Sequence, residues 1–239
     1  MKHVRHIIAA VAATFIAVAA QAQTAYPDGM PSNEGVKPQL ADYFTQVTST
    51  AASPDAEGFI RRWLLLEPIN KPNRSNTVFT DSYLHTELGK NYFKGQLTTT
   101  PKDGQKVTVG EQELTWHAYD ATRYNVKLFR FASGLEKQVY GVIFFATTII
   151  ECDRDLTDVR LAVGSNSGSI WWIDGKETLI LSGDRRMVMD DCMSSRLTLT
   201  KGRHTIWGAV INGPGMSDFC LRFVDAKGQP VTNIKATVK

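Results

Sequence analysis

The C-terminal half of the chain alternates apolar and polar residues with a period of two, the signature of half-buried strands. Val159, Leu161 and Val163 alternate with Arg160 and Ala162; Ile206, Gly208 and Val210 alternate with Thr205, Trp207 and Ala209. Val139–Ile150 is a run of Val, Ile, Phe and Thr, and Phe219, Leu221 and Phe223 close the series. Ile170–Ile173 and Lys176–Leu181 flank Asp174-Gly175, a two-residue hairpin signal because a type I′ turn needs positive φ at both positions. Lys201-Gly202 and Asn212-Gly213-Pro214-Gly215 mark further turns. Strands this frequent, with no helical period between them, predict an all-β antiparallel sandwich over 59–239 rather than a parallel α/β sheet.

Upstream the pattern differs. Phe59–Leu66 is a compact apolar run stopped by Glu67-Pro68, residues 67–82 read as a long loop, and a helix or strand follows around Ser82–Phe93. Residues 23–58 form an N-terminal extension. Within it Leu40, Tyr43, Phe44 and Val47 have helical spacing, predicting a short amphipathic helix over 38–49 that packs on the sandwich. Residues 1–22 combine Lys2, His3, Arg5 and His6, an apolar run from Ile7 to Ala20, and Ala20-Gln21-Ala22. That is the layout of a secretory signal peptide, and it predicts a periplasmic or secreted protein with no membrane insertion after cleavage.

The chain of 239 residues is 43% hydrophobic, enough for a sizeable core. Its 27 Lys and Arg against 24 Asp and Glu become 25 against 24 once Lys2 and Arg5 are removed, which argues against nucleic acid as the partner. Three cysteines, Cys152, Cys192 and Cys220, leave at least one unpaired in an oxidising compartment; sequence does not choose between a disulfide and buried thiols.

The order Trp63-Leu64-Leu65-Leu66-x-Pro68, Tyr92-Phe93-Lys94-Gly95, Lys102-Asp103-Gly104, Trp116, Gly164-Ser165-Asn166-Ser167, Trp171-Trp172-Ile173-Asp174-Gly175-Lys176 and Lys201-Gly202 resembles galactose-binding-like jelly-roll modules. More closely it resembles secreted proteins of gut Bacteroidetes labelled acetylxylan esterase. The resemblance implies a jelly-roll sandwich, a polysaccharide or oligosaccharide ligand and, in some modules, a structural calcium ion.

Residues for hydrolysis are sparse. Gly164-Ser165-Asn166-Ser167-Gly168 carries Asn where a G-x-S-x-G elbow has its nucleophile, and it lies between two strands rather than before a helix. Beyond residue 22 the histidines are His85, His117 and His204, none tied to a serine by a motif. No His-x-His or His-Glu-x-x-His spacing occurs, so no catalytic metal or cofactor is implied. Three functions follow: a noncatalytic glycan-binding module, an acetylxylan esterase deacetylating xylan, or a protein-interaction module.

For glycan binding the expected ligand-binding residues lie on loops: Asn166 and Ser167; Asp184, Arg185 and Arg186; and the Asn212 to Asp218 segment. Arg can clamp an acidic sugar, or the same loop can be an internal salt-bridge network. Trp171 and Trp172 are adjacent in a strand and so face opposite ways. One is expected in the core and the other is either a stacking ring for a sugar or packed as well.

Overall fold

The computed structural model describes residues 40–239; the leader-like residues 1–22 and the lead-in to 39 lie outside them. The protein is an antiparallel two-sheet β-sandwich with two short helices. The larger sheet contains β1 (Phe44–Gln46), β2 (Arg62–Leu66), β3 (Ile69–Asn70), β4 (Lys106–Val109), β5 (Gln112–Ala121), β6 (Val142–Cys152), β8 (Gly168–Ile173), β9 (Lys176–Leu181), β12 (Gly202–Asn212) and β14 (Ile234–Thr237). Its main path runs β1-β5-β2-β6-β12-β8-β9, with β3 and β14 also on β6 and β4 on β5. The smaller sheet is built on β7 (Leu156–Asn166), which pairs with β13 (Asp218–Val224) on one edge and with β10 (Cys192–Met193) and β11 (Leu197–Leu199) on the other. The helices are α1 (Asp81–Leu88) and α2 (Leu128–Gly134).

The long apolar runs follow from burial on both faces of the larger sheet. Phe144, Ala146 and Ile150 of β6 face the core between the sheets, with Trp63, Trp171, Leu221 and Phe223. Their neighbours Ile143 and Phe145 face a second core, covered by Phe79, Leu84 and Leu88 in and around α1 and by Phe93. A strand covered on both sides loses the apolar–polar alternation, as β6 does. The second core is what the sequence pattern left unseen.

Asp174 and Gly175 have φ of 52° and 75°, and Ile173 pairs with Lys176, so the β8–β9 hairpin turns as its Asp-Gly dipeptide requires. Thr80 caps α1 by accepting the Tyr83 N–H. The helix expected over 38–49 is not formed. Leu40–Asp42 is a single 3-10 turn, and Phe44, Thr45 and Gln46 pair with Ala121, Asp120 and Tyr119 on the edge of β5. Ladder hydrogen bonds to an open sheet edge outweigh a helical period only about two turns long. Phe44 is buried in the inter-sheet core all the same, and Ala52 bridges to Ala236, so residues 40–58 do pack on the sandwich. Among the described residues no helix is long and apolar enough to cross a membrane.

Candidate binding site

The loops expected to bind a ligand meet at one end of the sandwich. Asn166 ends β7 opposite Asp218 at the start of β13. Asn76, a residue the sequence reading did not single out, ties the other two loops. Its Nδ2 donates to Asp184 Oδ1 at 2.9 Å and to the Pro214 carbonyl at 3.2 Å, and its Oδ1 accepts the Gly213 N–H at 3.2 Å. Most polar groups there hold the loops together. Asn212, fully buried, donates to the Val139 and Gly215 carbonyls. Asp218 Oδ2 accepts from Asn125 at 3.0 Å and Lys127 at 2.7 Å. Arg185 donates to the Ser182 carbonyl and to Asp191 at 2.7 Å, leaving Arg186 as the exposed guanidinium. Ser167 is buried and its hydroxyl has no partner.

Neither Trp171 nor Trp172 is a stacking ring. Trp171 is 0% exposed; its ring lies over Gly208 and against Trp63 and Phe219, and its N–H donates to Ser169 Oγ at 3.0 Å. Trp172, 6% exposed, points the other way into the second core. Strand parity separates the two rings as expected, but the cover over the larger sheet buries the one that would otherwise be open.

A ring system does meet a cavity elsewhere. Trp116 on β5 and Trp207 on β12 project into the second core and, with Phe93, lie buried at the base of a pocket of about 430 Å³. The rings meet edge to face: Trp116–Trp207 centroids are 5.7 Å apart at 87°, and Phe93–Trp116 5.8 Å apart at 78°. Lys94, Thr98, Thr99 and Gln105 add polar wall. The wall segment is pinned locally. Gly95, at φ 86°, presents its carbonyl to the Thr98 and Thr99 N–H groups, while Gln105 accepts from Trp116 N at 2.9 Å through its backbone carbonyl.

The indole Nε1 atoms of Trp116 and Trp207 are both buried without a hydrogen-bond partner. Trp63 and Trp171 satisfy theirs, through the Ile60 carbonyl and Ser169 Oγ. An unmade bond of this kind costs about 1–3 kcal/mol, so two beside one pocket need an explanation. Neither Trp116 nor Trp207 was among the ligand-binding residues expected from the sequence. The available signal was parity alone, which cannot reveal that the 93–107 segment leaves a cavity over both rings.

A larger cleft of about 540 Å³ lies between the β8–β9 turn and β11 and includes Asp174, Glu177, Arg196 and His204. Its histidine is fully engaged: Nδ1 bonds Asp174 Oδ2 at 2.7 Å and Nε2 donates to the Thr200 carbonyl at 2.8 Å. Burial works against the imidazolium, but the Asp174 and Thr200 contacts outweigh it and raise the pKa above the ordinary value. His85 bonds Glu177 and His117 bonds Glu67. Among the described residues none of the three histidines hydrogen-bonds a serine hydroxyl, the contact that a serine–histidine pair uses.

No family model and no curated protein matches the chain. Among solved structures it is similar to the PA14 sugar-binding domain of an RTX adhesin, at 12% identity and TM-score 0.45, over 74% of this chain and 99% of that one. It is also similar to the PA14 domain of an antifreeze protein, at 11% identity and TM-score 0.45, over 81% and 96%. An alpha-xylosidase from Xanthomonas citri matches at 11% identity and TM-score 0.27, over 81% of this chain and 17% of that one.

Proposed function

We propose that the protein is a noncatalytic carbohydrate-binding module acting outside the cytoplasm, and that it binds sugar in the pocket over Trp116 and Trp207. One observation carries the reading: Lys94, Thr98, Thr99 and Gln105 wall an open pocket with ammonium, hydroxyl and amide groups above the buried rings of Phe93, Trp116 and Trp207. A pyranose carries a rim of oxygens that accept hydrogen bonds from groups of this kind. At about 430 Å³ the pocket is within the usual range for small-ligand sites. The leader-like pattern of residues 1–22 supports export.

The test is titration calorimetry of the chain with xylan-, mannan- and pectin-derived oligosaccharides, repeated on Thr98→Trp, which places a large ring at the exposed wall. Binding at millimolar concentration or tighter that Thr98→Trp abolishes is the expected result. No binding by the wild type, or equal binding by the variant, rejects the pocket. Acetate release from acetylated xylan at an enzyme-like rate, surviving repurification, rejects the noncatalytic reading.

A further inference from the structure

We infer that the sugar accepted over Trp116 and Trp207 is a hexuronate, a pyranose whose C6 is a carboxylate; the inference rests on the carbohydrate reading of that pocket. The pocket lining contains no Asp or Glu and one cation, Lys94. Lys94 is exposed and has no ion-pair partner among the described residues. Nearby Glu87 is already shared by Lys71 at 2.9 Å and Lys90 at 2.7 Å. An ammonium at the mouth of a pocket, uncompensated by any wall carboxylate, favours an anionic ligand.

The neutral groups point the same way. Several wall acceptors are already occupied. The Gly95 carbonyl takes two N–H groups, the Phe93 carbonyl takes Gln96 N, and Gln105 accepts through both its backbone carbonyl and its Oε1. What remains free on the accessible side chains is mostly donors: Lys94 Nζ and Gln105 Nε2, with the Thr98 and Thr99 hydroxyls able to donate. A neutral hexose brings a donor with every hydroxyl, and among the free lining side chains only the Thr98 and Thr99 hydroxyls can accept. A hexuronate exchanges the C6 hydroxyl for two acceptor oxygens and a charge, which suits a wall of donors with one ammonium.

The experiment compares sugars that differ at C6: galacturonate against galactose, and glucuronate against glucose. Each is titrated by calorimetry into the full chain, into Lys94→Gln and into Lys94→Arg, at low and high salt. Lys94 is exposed, so both variants should fold. The expected result is that each uronate binds at least tenfold tighter than its hexose, that added salt narrows the gap, that Lys94→Gln removes it and that Lys94→Arg retains it. Equal affinity for uronate and hexose overturns the inference and leaves the carbohydrate reading standing. A uronate preference that survives Lys94→Gln also overturns it. Failure of all four sugars to bind rejects the inference together with the reading it rests on.

Discussion

Gly208→Ala tests the burial of Trp171 most sharply. Gly208 on β12 pairs with Trp171 on β8. A Cβ at this position would lie 2.3 Å from Trp171 Cζ3 and 2.6 Å from Cε3 and Cη2. Ordinary carbon–carbon contact is about 3.5–4.0 Å, so three ring atoms would be about 1 Å too close at once. The ring cannot easily retreat, because its N–H is held by Ser169 and its faces and edges meet Trp63 and Phe219. Overpacking a filled core costs about 1–3 kcal/mol, and this geometry belongs at the upper end. For a domain of this size that lowers Tm by about 6–12 °C. The expected sign is itself diagnostic, since Gly→Ala at a compatible backbone position usually stabilises by about 0.4–1 kcal/mol. Urea denaturation of wild type, Gly208→Ala, Trp171→Leu and the double variant gives the coupling. The alanine should cost much less once the large ring is gone. An alanine variant as stable as wild type, or an equal cost in both backgrounds, refutes the packing of Trp171 over Gly208.

Three other outcomes follow from buried polar groups. Arg62, 2% exposed, forks onto Asp120 at 2.8 and 2.7 Å and onto Ser49; Arg62→Ala should cost about 3 kcal/mol in urea denaturation, with Arg62→Lys recovering only part because it cannot make the paired contact. The raised pKa of His204 gives stability that is fully present below its unfolded value of 6.5 and lost as pH rises through the folded value. His204→Gln should therefore destabilise by about 1 kcal/mol near pH 5, a modest figure because half-exposed Asp174 is screened, and by clearly less near pH 9; a pH-independent difference contradicts the ion pair. Cys192 and Cys220 pair with adjacent positions on opposite edges of β7, about two strand spacings or roughly 9–10 Å apart, too far for a disulfide. Burial pushes the Cys220 thiol up to about 11 and raises that of Cys152, so native alkylation should label Cys192 first, and a mass two hydrogens short from a Cys192–Cys220 bond would contradict the register.

The sandwich was legible because period-two alternation and the Asp174-Gly175 turn are local signals that the tertiary structure reinforces. That binding loops would lie at an end of the sandwich was legible, but that these three converge was not, because Asn76, which ties two of them, is more than a hundred residues away from both. What resisted reading depends on long-range cover. Phe44–Gln46 becomes a strand because β5 offers an edge, which the helical spacing of Leu40, Tyr43 and Phe44 does not reveal. Trp172 is buried because α1 and its neighbours cover the larger sheet, and Trp116 and Trp207 border a cavity because the same cover leaves a gap. In each case the deciding contact joins segments tens of residues apart, and an apolar residue reads the same in sequence whether its cover is complete or not.

The pocket above Trp116 and Trp207 is read as a sugar site, and the indole N–H resonances of the five tryptophans test that directly. In a ¹⁵N–¹H correlation spectrum, saturating oligosaccharide should move the Trp116 and Trp207 Nε1–H signals as a ligand fills the space above their rings. Those of Trp63 and Trp171, already bonded to the Ile60 carbonyl and Ser169 Oγ, should stay in place. Assignment by single Trp→Phe variants makes the result unambiguous. Binding that leaves the Trp116 and Trp207 signals unmoved, or a full glycan panel that moves none of the five, contradicts the claim.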